Sequence, residues 1–264
     1  EPLLEKWASE YQKAHPGSTI TVSSDPGDEG ADLHFIASRD ERERGIDGGS
    51  IIFTGRYALL PIANEGNPIL DELNKKRLNE RRLEEFFFET GLTNGGSDAG
   101  GEPTYDVTVY SGSTPGSSAN LFAAHFGYDA ADLRGRRISG DDIFLINAVQ
   151  KDPWGVTFNN LSYLYDKESR QLKEGLALLP LDVKRGQHEI LESADIDKTI
   201  ALLEEENIPL IPVEHVGFVY QNDNQLAKEF LDWVLSEGQK YNHTHGFLSA
   251  PVTQFAAEPG KANF

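Results

Sequence analysis

Residues 107–127 read VTVYSGSTPGSSANLFAAHFG. The first four are β-branched or aromatic and favour a strand, whereas the last ten are helix formers with Leu121, Phe122 and Phe126 at helical spacing. Between them, residues 111–118 consist only of Ser, Gly, Thr and Pro, the residue types that turn a chain and start a helix. A strand running through a tight turn into a helix is the repeating unit of an α/β sheet, and the spacing predicts the helix over 117–126.

Outward from this unit the same alternation recurs. Residues 2–14 place Leu3, Leu4, Trp7 and Tyr11 on one helical stripe, stopped by the His-Pro-Gly at 15–17. Strands are expected over 18–24 (STITVSS), 31–38 (ADLHFIAS), 55–64, 155–160, 176–182 and within 208–220, with DPGDEG at 25–30 as a turn. Helices are expected over 69–76 and about 79–88, over 139–153 where Asp152-Pro153 ends the pattern, and over 224–246 closed by Gly246. The segment TNGGSDAGGEPT, 93–104, has the composition of a solvated loop. No internal repeat is present.

The chain has 264 residues, of which 38% are hydrophobic, enough for a core in one large domain or two lobes. Forty-three acidic residues against 24 basic ones leave a formal charge of −19, which repels nucleic acid and anionic membranes. That balance also suits salty surroundings, where a carboxylate-rich surface stays hydrated. Cysteine is absent, which excludes disulfides, thiolate metal sites and cysteine nucleophiles. No apolar run approaches the ~20 residues that cross a bilayer.

In their order, PLLEKWASEYQKAHPGSTI, ADLHFIASRDERERG, GRYALLPIANEGNP, LNERRLEEFFF, VTVYSGSTPGSSANLFAAHFG, NAVQKDPWGVTFNNLSYLY and AKEFLDWVLSEGQKYNHTHGFL resemble the PstS-like phosphate-binding proteins of ABC importers, type II periplasmic binding proteins. The resemblance implies two α/β lobes, each a mixed sheet flanked by helices, joined by crossing strands at about 55–64 and 208–220. Residues 1–58 and 216–264 would form one lobe and 62–212 the other, with an anion taken up between them as they close. It further implies a monomer without a cofactor, located in the periplasm or anchored on the outer side of the cytoplasmic membrane. Such a protein hands phosphate, or a similar oxyanion such as sulfate, molybdate or tungstate, to the importer's membrane subunits.

Ser and Gly before a helix serve two purposes. They cap it, at ~1 kcal/mol, or they expose its free N–H groups and positive end to an anion. The residues alone leave both open, and the resemblance favours the anion. It makes Gly116 and Ser117 the nearest matches to the family's binding turn, with Ser118 and Ala119 in place of a second glycine and a threonine, and Pro115 in place of an acidic residue. The family's arginine before that turn has no counterpart, since Tyr110 and Ser111 occupy the neighbourhood; Ser113 and Thr114 are the expected compensating donors. In the other lobe, the "ASR" after a strand makes Ser38 a hydroxyl donor and Arg39 a two-pronged oxygen clamp. Asp40 is there the acceptor for the proton of hydrogen phosphate, which would disfavour sulfate. Family members begin with a strand and a small-residue turn before the helix matched by PLLEKW. They also carry a turn and helix where this chain has only DPGDEG, so part of the first lobe's contacts is expected to be absent from these residues.

Other features weigh less. His243 and His245 stand about 200° apart on a helix, a poor arrangement for one metal. Asp141 and Asp142 open a helix and read as caps rather than metal ligands. Arg134, Arg136 and Arg137 read as a solvated loop. No nucleophile elbow is present, so no catalysis is expected; the competing readings are a serine hydrolase using Ser117 with His125, His188 or His215, and a sensor or scaffold with a degenerate site.

Overall fold

The computed structural model describes residues 2–25, 28, 30–37, 51–89, 105–114, 117–220 and 224–250. The chain divides into two compact units, Glu1–Tyr57 with Val213–Phe264, and Ala58–Pro212.

The first unit contains helix α1 (Pro2–Ala14), strand β1 (Leu33–Ala37) and the start of strand β2 (Ile52–Asn64), which continues into the second unit. Strand β7 (Val213–Tyr220) pairs antiparallel with β1 from Leu33↔Tyr220 to Ala37↔Val216. Helix α9 (Gln225–Leu235) completes the packing. The α1 stripe buries Leu3, Trp7 and Tyr11 against Phe218, Phe230, Leu231, Trp233 and Val234. Tyr11 meets Phe230 edge-on at 5.4 Å between ring centroids. The Trp7 Nε1–H donates to Gly238 O at 2.9 Å, so the indole is buried without leaving its donor unpaired.

Three sequence expectations are corrected here. Residues 18–24 are extended but join no ladder, despite their β-branched composition. The helix expected over 224–246 stops at Leu235: the Ser236 hydroxyl bonds back to Asp232 O at 2.7 Å, and two 3₁₀ turns, Glu237–Tyr241 and His243–His245, lead to Gly246 at φ 77°. Residues 208–212 are turn and coil, and the strand begins only at Val213.

In the second unit, β2 pairs antiparallel with β5 (Gly155–Asn160) from Leu59↔Asn160 to Ala63↔Val156, and with β6 (Leu176–Leu178), shorter than its apolar run. Strand β3 (Thr108–Gly112) runs parallel to both β5 and β4 (Arg136–Ile138), so the sheet is mixed. Helices α2 (Ile69–Leu73), α3 (Glu80–Phe87), α4 (Ser118–His125), α5 (Ile143–Lys151) and α6 (Leu161–Leu164) follow the pattern of their segments, α2 being three residues shorter than its apolar spacing suggests. Helices α7 (Arg185–Glu192) and α8 (Ile196–Glu205) add two elements without a strong sequence signal. An aromatic core fixes α4 on the sheet. Phe122 stacks on Phe158 of β5 at 3.8 Å and meets Phe87 edge-on at 5.0 Å. Burying such a ring contributes about 2–3 kcal/mol.

Candidate functional site

Strand β5 sets out the site through three consecutive residues. The Thr157 hydroxyl donates to Tyr110 O at 2.7 Å and ties down β3, Phe158 carries α4, and Asn159 Nδ2 donates to Asp142 O at 2.8 Å, holding the start of α5. The end of β3, the start of α4 and the start of α5 therefore meet at one place.

Gly112 closes β3 there. A Cβ on it would lie 2.7 Å from Ser117 Cβ, 2.9 Å from Ser117 Oγ and 3.1 Å from Asp142 Oδ1, so only glycine allows the three elements to approach. The Ser113 N–H donates to Ile138 O at 3.0 Å, and the Thr114 hydroxyl accepts the Gly140 N–H at 2.9 Å. Ser117 is the N-cap residue, in extended conformation, yet its hydroxyl makes no capping bond. Instead the first helical N–H, that of Ser118, goes to Asp142 Oδ2 at 3.0 Å. Ser118 is 5% exposed, and its Oγ and Asp142 Oδ1 are buried with no hydrogen-bond partner; Ser111 Oγ, one residue before Gly112, is in the same condition. Unpaired buried polar atoms cost about 1–3 kcal/mol each, so their concentration at a helix start points to a polar guest.

Asp142 carries the electrostatics. Burial pushes its carboxyl above the usual carboxylate range, the Ser118 N–H pulls it back in part, and the neighbouring Asp141 adds to the rise. Asp141 performs the ordinary capping, its Oδ1 accepting the Ile143 N–H at 2.9 Å and its Oδ2 the Tyr163 hydroxyl at 3.1 Å. The expectation that both acids cap α5 is thus corrected for Asp142, which caps α4 from another element. A second acid after one that already satisfies the cap was the sequence signal for it.

Of the expected contacts, Ser113, Thr114, Ser117 and Ser118 lie in this turn, with the Thr114 hydroxyl engaged by Gly140. Ser38, Arg39, Asp40 and Gly116 lie outside the described residues. Gly112 and Asp142 are additions. The three arginines are not a solvated loop: Arg134 Nε donates to Phe86 O, Arg136 reaches the Tyr110 hydroxyl at 3.5 Å, and Arg137 binds Ala130 O and Leu133 O. His125 lies at the far end of α4, about 10 Å along the axis from Ser118 at 1.5 Å per residue, and its Nε2 is 2.6 Å from Pro209 O. It cannot serve Ser117 as a base. Among the described residues no group of His, Asp or Glu could hold a metal, and no helix is long and apolar enough to cross a membrane.

This arrangement of mixed sheet and flanking helices is the type II periplasmic-binding-protein fold. No protein-family model and no curated protein matches the chain. Among solved structures it is similar to a Clostridium perfringens protein assigned as the substrate-binding protein of a phosphate ABC transporter and solved with bound phosphate (17% identity, TM-score 0.59, 95% of each chain). An ABC-type phosphate transport receptor from Vibrio cholerae is also similar (13%, TM-score 0.60, 94% of this chain and 95% of that one). So is the regulatory domain of OxyR2 from Vibrio vulnificus (14%, TM-score 0.50, 89% and 90%).

Proposed function

We propose that this protein binds a small oxyanion, phosphate foremost, at the start of α4 without turning it over, and delivers it to the membrane subunits of an ABC importer outside the cytoplasmic membrane. The observation that carries the reading is the start of α4, where a serine hydroxyl free of capping duty faces a buried carboxylate with one oxygen unpaired. Ser117 Oγ and the helix end supply neutral donors to the anion. Asp142 Oδ1 supplies an acceptor, which a P–OH group satisfies and sulfate, having no proton at neutral pH, does not. The role of proton acceptor, expected at Asp40, thus falls to Asp142 in this unit. The fold shared with phosphate transport receptors supports the same class of ligand.

One observation favours a second reading. The Asp142 carboxylate already sits on the Ser118 N–H, as an internal anion would in a sensor whose site has closed. Titration calorimetry with phosphate, sulfate, molybdate and tungstate, after unfolding and dialysis to strip carried-over ligand, decides between the two. Saturable phosphate binding abolished by Ser117→Leu supports capture; no heat with any of the four supports the closed site.

A further inference from the structure

Residues 18–24 pose an accounting problem. Thr19, Ile20, Thr21 and Val22 are β-branched in succession, and the segment is extended, but it belongs to no sheet. The Ser18 N–H goes to His15 O and the Ile20 N–H to Gln12 Oε1, both local contacts with α1 and its end. Strand β1 is the edge of its own sheet, with β7 on one side and no described strand on the other. These two stretches of backbone line a single cavity of about 650 Å³ in the first unit, walled by residues 19–25 and 33–35 and floored by Leu4, Ala8, Phe218 and Phe230. Leu4, Ile20, Leu33, Phe35 and Leu226, which pack against the aromatic core, are only partly buried. His34 Nε2, also on the cavity, is buried without a partner.

We infer that this cavity is a strand-binding groove: an extended segment of a partner polypeptide enters between residues 19–24 and β1 and adds a strand to the sheet. The backbone argues for the kind of guest. An extended peptide pairs with rows of peptide groups, whereas a helix has already satisfied its own and a small solute cannot span the row. The apolar floor calls for an apolar side chain at every second position, because successive strand residues face opposite ways. Ser or Thr between them suits the side toward His34. Asp25, Asp28 and Asp32 line the groove and no described Lys or Arg does, so a basic residue at one end of the guest is complementary.

The probe is the hexapeptide KVTVTV, acetylated and amidated, with a copy N-methylated at alternate residues, which keeps the side chains and removes backbone donors. Expected are saturable binding by fluorescence anisotropy and slowed hydrogen exchange at 19–24 and 33–37, with the methylated copy bound at least about ten-fold more weakly, as the loss of two backbone bonds implies. Thr21→Pro in the protein, at an exposed position outside any ladder, is expected to weaken binding by a similar factor with an unchanged melting curve. The inference is overturned by an absence of saturable binding, by equal binding of the methylated copy, or by protection confined to other segments. It is also overturned if both segments are already protected without peptide: at all concentrations, the chain fills its own groove; only at high concentration and with dimerisation, a second copy does.

Discussion

Replacing Asp142 by Asn tests the site where its chemistry is most specific. The position that a Cβ on Gly112 would take lies 3.1 Å from Asp142 Oδ1 and 2.9 Å from Ser117 Oγ. An anion touching the Ser117 hydroxyl therefore sits about 5 Å from the carboxylate, and two unit charges at that distance repel by about 3 kcal/mol at an effective dielectric of about 20. Sulfate feels this in full. Hydrogen phosphate offsets it by donating a hydrogen bond to the carboxylate, worth about 1.5–3 kcal/mol. Asp142→Asn is expected to raise sulfate affinity by about 10²-fold and to change phosphate affinity by less than about 10-fold, so that selectivity collapses. In the parent, burial raises the carboxyl pKa, so sulfate binding strengthens as pH falls through that raised value; in the Asn variant it stays flat. The stability sign follows the same shift. A raised acid pKa contributes stability that is present at low pH and lost as pH rises through the folded value, and Asn, able to accept the Ser118 N–H while carrying no charge, should melt no lower than the parent at neutral pH. Calorimetry and thermal melts between about pH 5 and pH 8 measure both. Equal affinities of parent and variant for both anions across that range would refute the role given to Asp142.

Ser117→Leu is expected to abolish phosphate binding at a stability cost below about 1 kcal/mol, because the hydroxyl makes no capping bond; unchanged binding with a lowered melting temperature would return Ser117 to a cap. Gly112→Ala drives a methyl group into Ser117 and should both remove binding and destabilise by about 1–3 kcal/mol in denaturant titrations. The Tyr165 hydroxyl is buried without a partner, and burial pushes its pKa up to about 12, so Tyr165→Phe should leave stability unchanged or raise it by up to about 1 kcal/mol; a loss would reveal a bond to the hydroxyl.

The fold was legible where local pattern and tertiary partner agree. The α1 stripe, the 31–38 strand and the 107–127 unit each read correctly because the side chains that define their periodicity are the ones the core takes up. It was illegible where long-range contacts override composition. Residues 18–24 have strand propensity and no described ladder partner, and the 224–246 pattern holds helical spacing through a stretch where Gly238 lies under the Trp233 ring, 3.2 Å from a would-be Cβ. The arginines at 134–137 resembled a charge run because sequence does not show carbonyls such as Phe86 O and Tyr105 O, contributed from about 30 to 50 residues away. The serine turn was visible as a site type. Asp142 was not visible as part of it, since its partner Ser118 lies 24 residues earlier and only the sheet order brings them together.

A net charge of −19 and an anion site are compatible because they act over different distances. Surface carboxylates are screened beyond a Debye length of about 8 Å at physiological ionic strength, so they slow encounter more than they weaken the complex. At contact, the field is set by what stands within a few ångströms of the anion: the hydroxyl of Ser117, the positive end of α4 and the carboxyl of Asp142. Without a counter-cation among the described residues of this turn, binding here rests on directed donors, and directed donors act only if held in place. Strand β5 provides that rigidity, since Thr157, Phe158 and Asn159 anchor the three segments through buried contacts. The same buried carboxyl that disfavours a bare dianion rewards one carrying a proton, so the acidity of the site serves selection among anions rather than opposing capture.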